Sequence, residues 1–321
     1  FVDLINALSE DVSRIREITN GFGYRDGIGS DIIVYPHTTF IQDLDTIPFP
    51  AYNLVDFKRY EVDTSHWVNP KKLDFSVSVP FIASRSCPMQ CSFCAMFLVM
   101  GKGIRYRSAK NVVDEIEYLY LEHGMTHFNF YDDNLTCKKK WIMDICNDII
   151  RRGLNIQFET LGSLMINKID QEVVDALAAA GLVRAGIAPE SGSEYIRNNI
   201  MGKLASDEKI YEVIGAIRKY PHIFIRAEFI MGMPEDTSET LMDTYNMVEK
   251  LDVDEAFTVN VIPFPGTKLY AQCVKDNLFI DVDTKNLWRE SSLYAHKRIG
   301  DRFFVRPYKM TLENLLYFRK M

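Results

Sequence analysis

Apolar residues recur every three or four positions between residues 3 and 19, which predicts an amphipathic helix that ends before Gly21 and Gly23. Residues 31–70 follow with four prolines and little periodicity, and this pattern indicates an extended connector. From about residue 76, short runs of β-branched and aromatic residues alternate with longer segments at helical spacing. The predicted strands are residues 75–83, 127–131, 156–161, 183–188, 223–230 and 256–262.

Helices are predicted between these strands from the same periodicity and from their end signals. Ser108 is a suitable N-cap for a helix over residues 108–123, and Gly124 is its stop signal. Asp236, with Glu239 three residues later, is predicted to cap the helix after the fifth strand. The other predicted helices cover residues 138–151, 171–180 and 207–219.

Strands that alternate with helices predict right-handed βαβ crossovers and therefore an α/β fold with one parallel sheet. Six strand-then-helix units are recognisable, whereas a closed barrel of this kind needs eight. Residues 71–270 are therefore predicted to form an open, partial (β/α)6 barrel with its site at the C-terminal ends of the strands. Residues 1–70 form an N-terminal helix and connector, and residues 271–321 a C-terminal cap that shapes the substrate pocket and includes a short helix near 311–320.

The composition and the net charge exclude several classes of protein. Hydrophobic residues make up 47% of the 321 residues and charged residues 25%, which excludes a disordered or collagen-like chain. A net charge of −7 argues against a dedicated nucleic-acid-binding protein. There is no apolar run long enough for a membrane span and no signal peptide, and the first residue is Phe1 rather than Met. We therefore expect a cytoplasmic protein, and a chain that is a fragment or a processed piece.

Three of the six cysteines, Cys87, Cys91 and Cys94, lie in a C-x3-C-x2-C pattern directly after the first predicted barrel strand. Thiolates are soft ligands that suit iron–sulfur clusters or zinc. A structural zinc site needs four ligands, and the 25 residues after Cys94 contain no further Cys or His. A cubane cluster held by three cysteines leaves one iron open to a small molecule. The alternatives are a zinc site completed by the distant Cys137, and three buried structural thiols.

With Phe93 as the aromatic residue before the last cysteine, the pattern resembles the signature of the radical S-adenosylmethionine (SAM) superfamily. The resemblance extends over about residues 15–275. The sequence is similar in particular to the cobalamin-linked subgroup, both in the segments that follow the barrel strands and in the connector. The β/α repeats and His-containing motif of a cobalamin domain do not occur within the 321 residues, which fits the expectation that the chain is a fragment. The segments concerned are residues 18–25, 43–51, 132–136, 189–193, 229–234 and 263–267.

This resemblance implies that Cys87, Cys91 and Cys94 hold a [4Fe–4S] cluster whose fourth iron binds the amino and carboxylate groups of SAM. One-electron reduction then cleaves SAM into methionine and a 5′-deoxyadenosyl radical. The electron comes from an external reductant of the flavodoxin or ferredoxin type. Cobalamin is a further cofactor that the resemblance to this subgroup implies.

The remaining candidate cofactor-binding residues lie at the predicted strand ends. By resemblance, Asp132 pairs with the SAM ammonium, with Asp133 as the alternative and a turn or cap as the ordinary interpretation. Glu190 contacts SAM, for example its ribose diol, unless it forms a salt bridge with Arg184 or Arg226.

Three more residues complete the predicted site. Ser191 either caps the next helix or contacts SAM. Arg226 either binds the SAM carboxylate from inside the barrel or forms a structural ion pair near Glu228 or Glu190. Gly232 allows a close backbone approach, such as to adenine, but is also typical of a turn. No catalytic acid or base is recognisable.

The predicted function is a radical SAM enzyme that acts on a small-molecule or natural-product substrate. By resemblance, the most common outcome is a cobalamin-linked methyl transfer, and the alternative within the class is ring closure or rearrangement without methylation. The alternative from another class is a non-catalytic module that binds zinc or an iron–sulfur cluster.

Overall fold

The structure, a computed structural model, describes residues 2–18, 20–25, 27–61, 63, 68–74, 76–280 and 302–321. In chain order the strands are β1 Phe22–Arg25, β2 Ile32–Tyr35, β3 Val79–Phe81, β4 Ser84–Arg85, β5 Arg105–Tyr106, β6 His127–Phe130, β7 Gln157–Leu164, β8 Leu182–Glu190, β9 Phe224–Met231 and β10 Glu255–Asn260. The α-helices are α1 Val2–Glu10, α2 Met96–Met100, α3 Ala109–His123, α4 Lys139–Arg151, α5 Gln171–Ala179, α6 Asp207–Arg218, α7 Ser238–Lys250, α8 Lys268–Lys275 and α9 Leu312–Lys320.

A six-stranded parallel sheet forms the centre of the fold. Its strands lie side by side as β3, β6, β7, β8, β9 and β10, which is their order along the chain. This arrangement confirms the predicted partial (β/α)6 barrel, because each helix returns the chain to the same end of the sheet. The first strand is shorter than predicted, since only Val79–Phe81 pairs with β6.

The N-terminal region differs from the prediction in two ways. Helix α1 ends at Glu10 because the Asp11 carboxylate accepts a hydrogen bond from the Ser13 amide and starts a separate 3-10 helix, Val12–Glu17. The connector also contains regular structure, since β1 and β2 pair as an antiparallel hairpin. Its exposed apolar residues gave no periodicity from which these short strands could be predicted.

Side-chain caps fix the helix starts, and one of the predicted caps is wrong. Ser108 accepts a hydrogen bond from the Asn111 amide and caps α3, as predicted. The cap of α7 is Thr237, which forms a capping box with Thr240, and not Asp236 with Glu239. Asp236 is buried and instead accepts hydrogen bonds from the amides of Gly232 and Met233.

The main core lies between the sheet and its helices, and every residue of β8 is buried, as expected for a strand covered on both faces. The described part of the C-terminal region packs onto the barrel through Phe303 and Phe304. Helix α9 confirms the predicted helix near 311–320, and Arg319 donates a hydrogen bond of 2.6 Å to the carbonyl of Thr258 on the edge strand β10. Two further aromatics of the predicted cap, Trp288 and Tyr294, lie outside the described residues. No helix within those residues is long and apolar enough to cross a membrane.

Candidate active site

The loop after β4 carries the three clustered cysteines and is held from both sides. Ser86, which has a positive φ of 73°, donates a 2.6 Å hydrogen bond from its hydroxyl to the carbonyl of Gly101. The Ser92 amide donates to the Met201 carbonyl at 2.9 Å, and the Leu269 amide donates to the Ser92 carbonyl at 3.0 Å. These contacts with distant segments fix the loop against the C-terminal ends of the strands.

All three thiols line one cavity of about 200 Å³ at that end of the barrel. Its walls come from the cysteine loop, the loop after β6, the end of β7 and the end of β8. The lining residues are Cys87, Met89, Cys91, Phe93, Cys94, Met96, Asp133, Asn134, Gly162, Ser163, Leu164, Met165, Ile166, Asn167, Glu190, Lys203 and Ala205.

Burial disfavours the ionisation of two of these thiols. It raises the pKa of Cys91 to about 11 and also raises the pKa of Cys94. The Asn134 amide lies 3.6 Å from the Cys87 sulfur, at hydrogen-bond distance for sulfur. Thiolates bind metal and thiols do not, so loading of this site must release protons. Within the described residues, no three Cys, His, Asp or Glu side chains converge closely enough to hold a single metal ion.

Glu190 and Lys203 form an ion pair in the wall of the cavity. The Lys203 ammonium lies 3.0 Å from Glu190 Oε1, so the partner of Glu190 is neither Arg184 nor Arg226. Glu190 ends β8 with a φ of 68°, a conformation that is uncommon for a residue with a side chain. The Lys203 field also opposes the rise in the Cys91 pKa. A charged pair thus stands next to the thiols.

The two aspartates after β6 have different surroundings. Asp132 is buried and accepts hydrogen bonds from the Ser84 hydroxyl and the Ala83 amide, and burial raises its pKa to about 6. It does not line the cavity, whereas Asp133 does, and burial raises the pKa of Asp133 as well. Of the two aspartates, Asp133 therefore lines the cavity and Asp132 is bound within the chain.

Two other predicted residues lie outside the cavity wall. Ser191 packs against α7, with its hydroxyl 3.4 Å from the Thr244 hydroxyl and accepting from the Ser193 amide. Gly232 donates its amide to Asp236, and a Cβ at this position would lie 3.2 Å from the Phe303 ring. Both residues are thus bound within the chain, and neither lines the cavity.

Arg226 belongs to a network of charged side chains on β8, β9 and β10 and does not line the cavity. Its Nε lies 3.4 Å from Glu228 Oε1 and 3.6 Å from Glu255 Oε2, and its guanidinium stacks on Phe257 at 4.0 Å. Arg184 continues the network with Glu255 at 3.4 Å and Glu159 at 3.7 Å. Arg226 therefore forms the ion pair with Glu228 that was given above as its structural interpretation.

Sequence reasoning missed several polar residues of the wall. The Asn134 carbonyl oxygen and the Ser163 hydroxyl are buried there without a hydrogen-bond partner among the described residues. Such orphaned groups are costly unless a ligand or water satisfies them. Ser163 was missed because β7 was predicted to end at Leu161, whereas the strand continues to Leu164 through a register shift against β8.

The donor set matches a thiolate-bound cluster together with a zwitterionic small molecule. Three soft ligands, a carboxylate–ammonium pair, a second carboxylate and two unsatisfied neutral groups line one partly apolar space. This combination fits an iron–sulfur cluster and a ligand that carries both charges.

A family model described as "Radical SAM superfamily" matches residues 81–248, about half of the chain. An uncharacterized methyltransferase from Pyrococcus horikoshii is 29% identical over 90% of this chain and 58% of its own length. Anaerobic magnesium-protoporphyrin IX monomethyl ester cyclase from Cereibacter sphaeroides is 29% identical over 84% of this chain and 42% of its own. The chain thus spans between about two fifths and three fifths of these curated relatives.

The fold also resembles a solved structure. The cobalamin-dependent S-adenosylmethionine radical enzyme OxsB, solved with aqua-cobalamin bound, aligns with a TM-score of 0.58 and 18% identity. The alignment covers 89% of this chain and 39% of OxsB.

Proposed function

Because the chain belongs to the radical SAM superfamily, whose members use a [4Fe–4S] cluster and SAM, we propose that Cys87, Cys91 and Cys94 bind this cluster. The observation that carries the proposal is the shared cavity, since all three thiols line it together with Glu190 and Lys203. Reductive cleavage of SAM at such a cluster supplies the radical.

The charges of the cavity wall support a specific placement of SAM. The Lys203 ammonium is the cation suited to the SAM carboxylate, because it lies in the wall next to the thiols. Glu190 and Asp133 are acceptors for the ammonium or the ribose hydroxyls. The unsatisfied oxygens of Asn134 and Ser163 offer further hydrogen bonds.

The apolar part of the wall serves a second role. Phe93, Met96 and Leu164 line the cavity, and Phe93 packs against the cluster of buried residues that includes Phe304. We infer that they limit the access of water and orient the ligand, while the chain's polar groups bind its two charged ends.

For the overall reaction we propose methyl transfer to a small-molecule substrate, with cobalamin as an additional cofactor. The Pyrococcus horikoshii relative, named a methyltransferase, supports this choice. The cyclase from Cereibacter sphaeroides supports ring closure as the second candidate. Detection of a methylated or a cyclised product, and of cobalamin in the purified protein, separates the two.

The test of the cluster assignment is anaerobic reconstitution with iron and sulfide, followed by incubation with SAM and dithionite. We expect visible absorbance of a thiolate-bound cluster and formation of 5′-deoxyadenosine. Cys91→Ala should abolish both. Cys137→Ala is the matched control, because Cys137 lies outside the cavity wall and is the fourth ligand in the zinc alternative.

Three results would overturn the proposal. An unchanged spectrum of Cys91→Ala would mean that the ligands are wrongly assigned. Loss of metal in Cys137→Ala would favour a four-ligand site. A reconstituted wild-type protein that forms no 5′-deoxyadenosine would favour a non-catalytic metal module.

A further inference from the structure

The side-chain amide of Asn134 lies between the cysteine loop and the cavity. Its Nδ2 lies 3.6 Å from the Cys87 sulfur, and both residues line the cavity. The Asn134 carbonyl oxygen is buried and has no hydrogen-bond partner among the described residues. Within that part of the chain, the contact with Cys87 is therefore the one hydrogen bond that this side chain makes.

The chemistry of sulfur determines which end of the amide can face it. A thiolate accepts hydrogen bonds and has none to donate, so the NH2 group of Asn134 can face an ionised Cys87, whereas the carbonyl oxygen would be repelled. The orientation in the structure, with Nδ2 next to the sulfur, is the one that a thiolate needs. The carbonyl oxygen stays available to a ligand in the cavity.

The segment that carries Asn134 is held on both sides. Two residues earlier, the buried Asp132 carboxylate accepts a hydrogen bond from the Ser84 hydroxyl. One residue later, the Leu135 amide donates a hydrogen bond of 2.8 Å to the Ser163 carbonyl at the end of β7. The fold thus places the Asn134 amide at the sulfur, and a change of the side chain alone leaves these anchors in place.

The other two thiols have different partners. The Cys91 sulfur lies 4.0 Å from the carbonyl oxygen of Gly202, which is an acceptor. The Met96 backbone amide forms a hydrogen bond with Cys94 and opposes the rise in the pKa of that thiol. Among the described residues, Asn134 is thus the one whose side chain donates a hydrogen bond to a sulfur of the three. A single substitution can remove this donor without a change in the backbone.

We propose that Asn134 is a positioning residue that donates a hydrogen bond to the Cys87 thiolate and thereby raises the reduction potential of the cluster. The proposal rests on the proposed function, since it needs an iron–sulfur cluster at the three cysteines. Reduction by one electron adds negative charge that the iron-bound sulfurs share, and no bond to the chain forms or breaks. A hydrogen bond to a more negative acceptor is stronger, so the donor stabilises the reduced state. Hydrogen bonds to the sulfurs are among the factors that set the potential of such clusters.

The test is a redox titration of the reconstituted protein, in which dithionite donates the electron and is itself oxidised. EPR follows the reduced cluster in the absence of SAM, so the result does not depend on enzyme activity. We expect Asn134→Leu to lower the equilibrium constant for reduction about tenfold, which is about 59 mV for one electron. Asn134→Gln retains an amide and should recover part of this shift. Ser163→Ala is the control, because it removes another unsatisfied polar group of the cavity wall and leaves the contact with Cys87 in place.

A measurement on the wild type does not depend on how well the variants assemble a cluster. Pulsed EPR of the reduced protein, with ¹⁵N in the side-chain amides of asparagine, should show a ¹⁵N coupling to the cluster, and Ser163→Ala should retain it. Absence of this coupling, an unchanged potential in Asn134→Leu, or an equal shift in Ser163→Ala would overturn the role of Asn134 alone, provided that the wild type forms 5′-deoxyadenosine. A wild type that forms no cluster, or no 5′-deoxyadenosine with SAM and dithionite, would contradict the proposed function.

Discussion

The Lys203 ammonium binds the Glu190 carboxylate at 3.0 Å, with 23% of the lysine side chain and 11% of the glutamate side chain exposed. The pair joins the last residue of β8 to the segment after a short π-helix, Tyr195–Ile200. Both side chains belong to the cavity wall that contains the three thiols. A ligand that carries both a carboxylate and an ammonium group can take the place of each partner. Its carboxylate then binds Lys203 in place of Glu190, and its ammonium binds Glu190 in place of Lys203.

We expect Lys203→Met to weaken SAM binding to the reconstituted protein by about 10- to 100-fold, because one charge-assisted hydrogen bond of about 1.5–3 kcal/mol is lost. The iron content should stay at the wild-type level, since Lys203 is not a ligand. Equilibrium binding of SAM measures the effect. Lys209→Met is the control, because Lys209 pairs with Glu212 on α6 outside the cavity. Equal SAM affinity of the two variants would contradict the assigned role of Lys203.

Arg197 holds the segment that carries Lys203. Its fully buried guanidinium donates to the carbonyls of Ser191 and Ala205 and to the Asp207 carboxylate. We expect Arg197→Met to lower the free energy of unfolding by about 3–5 kcal/mol, because it leaves the buried Ser191 carbonyl without its side-chain donor and the Asp207 carboxylate without its closest cation. Urea denaturation measures this. Arg218→Met, which removes a less deeply buried arginine and leaves Asp254 paired with Lys71, should cost clearly less, and a similar loss in both would count against the argument.

The ionisation of Asp132 should make the folded protein less stable as the pH rises, which is the opposite of the effect of a salt-bridged aspartate. Burial raises its pKa to about 6 in the folded chain, from 3.8 for an ordinary aspartate. Between about pH 4 and 6 the folded state therefore retains a proton that the unfolded state has lost, so this group's contribution to stability decreases as the pH rises. The contribution amounts to at most about 3 kcal/mol.

We expect the difference in unfolding free energy between the wild type and Asp132→Asn to fall as the pH rises from about 4 to 6 and to stay constant above that. Urea denaturation of the cluster-free protein with reduced thiols measures this difference. Asp144→Asn, at an exposed ion pair with Lys140, should show no such fall. A difference that does not change with pH would mean that Asp132 is ionised over the whole range.

The fold could be predicted because its signals are local. The helix between Ser108 and Gly124 is bounded by a capping side chain and a left-handed glycine, and both act within one helical turn. The cap of α7 was predicted wrongly because two acceptors, Asp236 and Thr237, stand side by side in the sequence. The amides of Gly232 and Met233 bind the first of them, and this choice depends on packing.

The site was predicted only in part for the same reason. The spacing of the three cysteines is a local pattern that places them in one wall of the cavity. The partner of Glu190 lies 13 residues later, beyond a π-helix whose sequence has no distinctive signal. Asp132 and Asp133 are adjacent and chemically identical, so only the fold determines that Ser84 binds the first and that the second lines the cavity.

Gly162 lies between the cavity and the Glu228 carboxylate inside the barrel. It lines the cavity with a φ of 72°, and a Cβ at this position would lie 3.0 Å from Glu228 Oε2. Gly153 has a φ of 65°, but a Cβ there would meet no atom within 4 Å. Both glycines therefore adopt the left-handed backbone conformation, but only at Gly162 would a Cβ approach another side chain.

We expect Gly162→Ala and Gly153→Ala each to lose about 1–2 kcal/mol of stability, because an L-residue is disfavoured in the left-handed region. Only Gly162→Ala should also weaken SAM binding several-fold, since the added methyl group must displace the Glu228 carboxylate or intrude into the cavity. Urea denaturation and equilibrium SAM binding measure the two effects separately. If both variants bound SAM like the wild type, the floor of the cavity at Gly162 would not contact the ligand, and Glu228 would be part of the structural charge network alone.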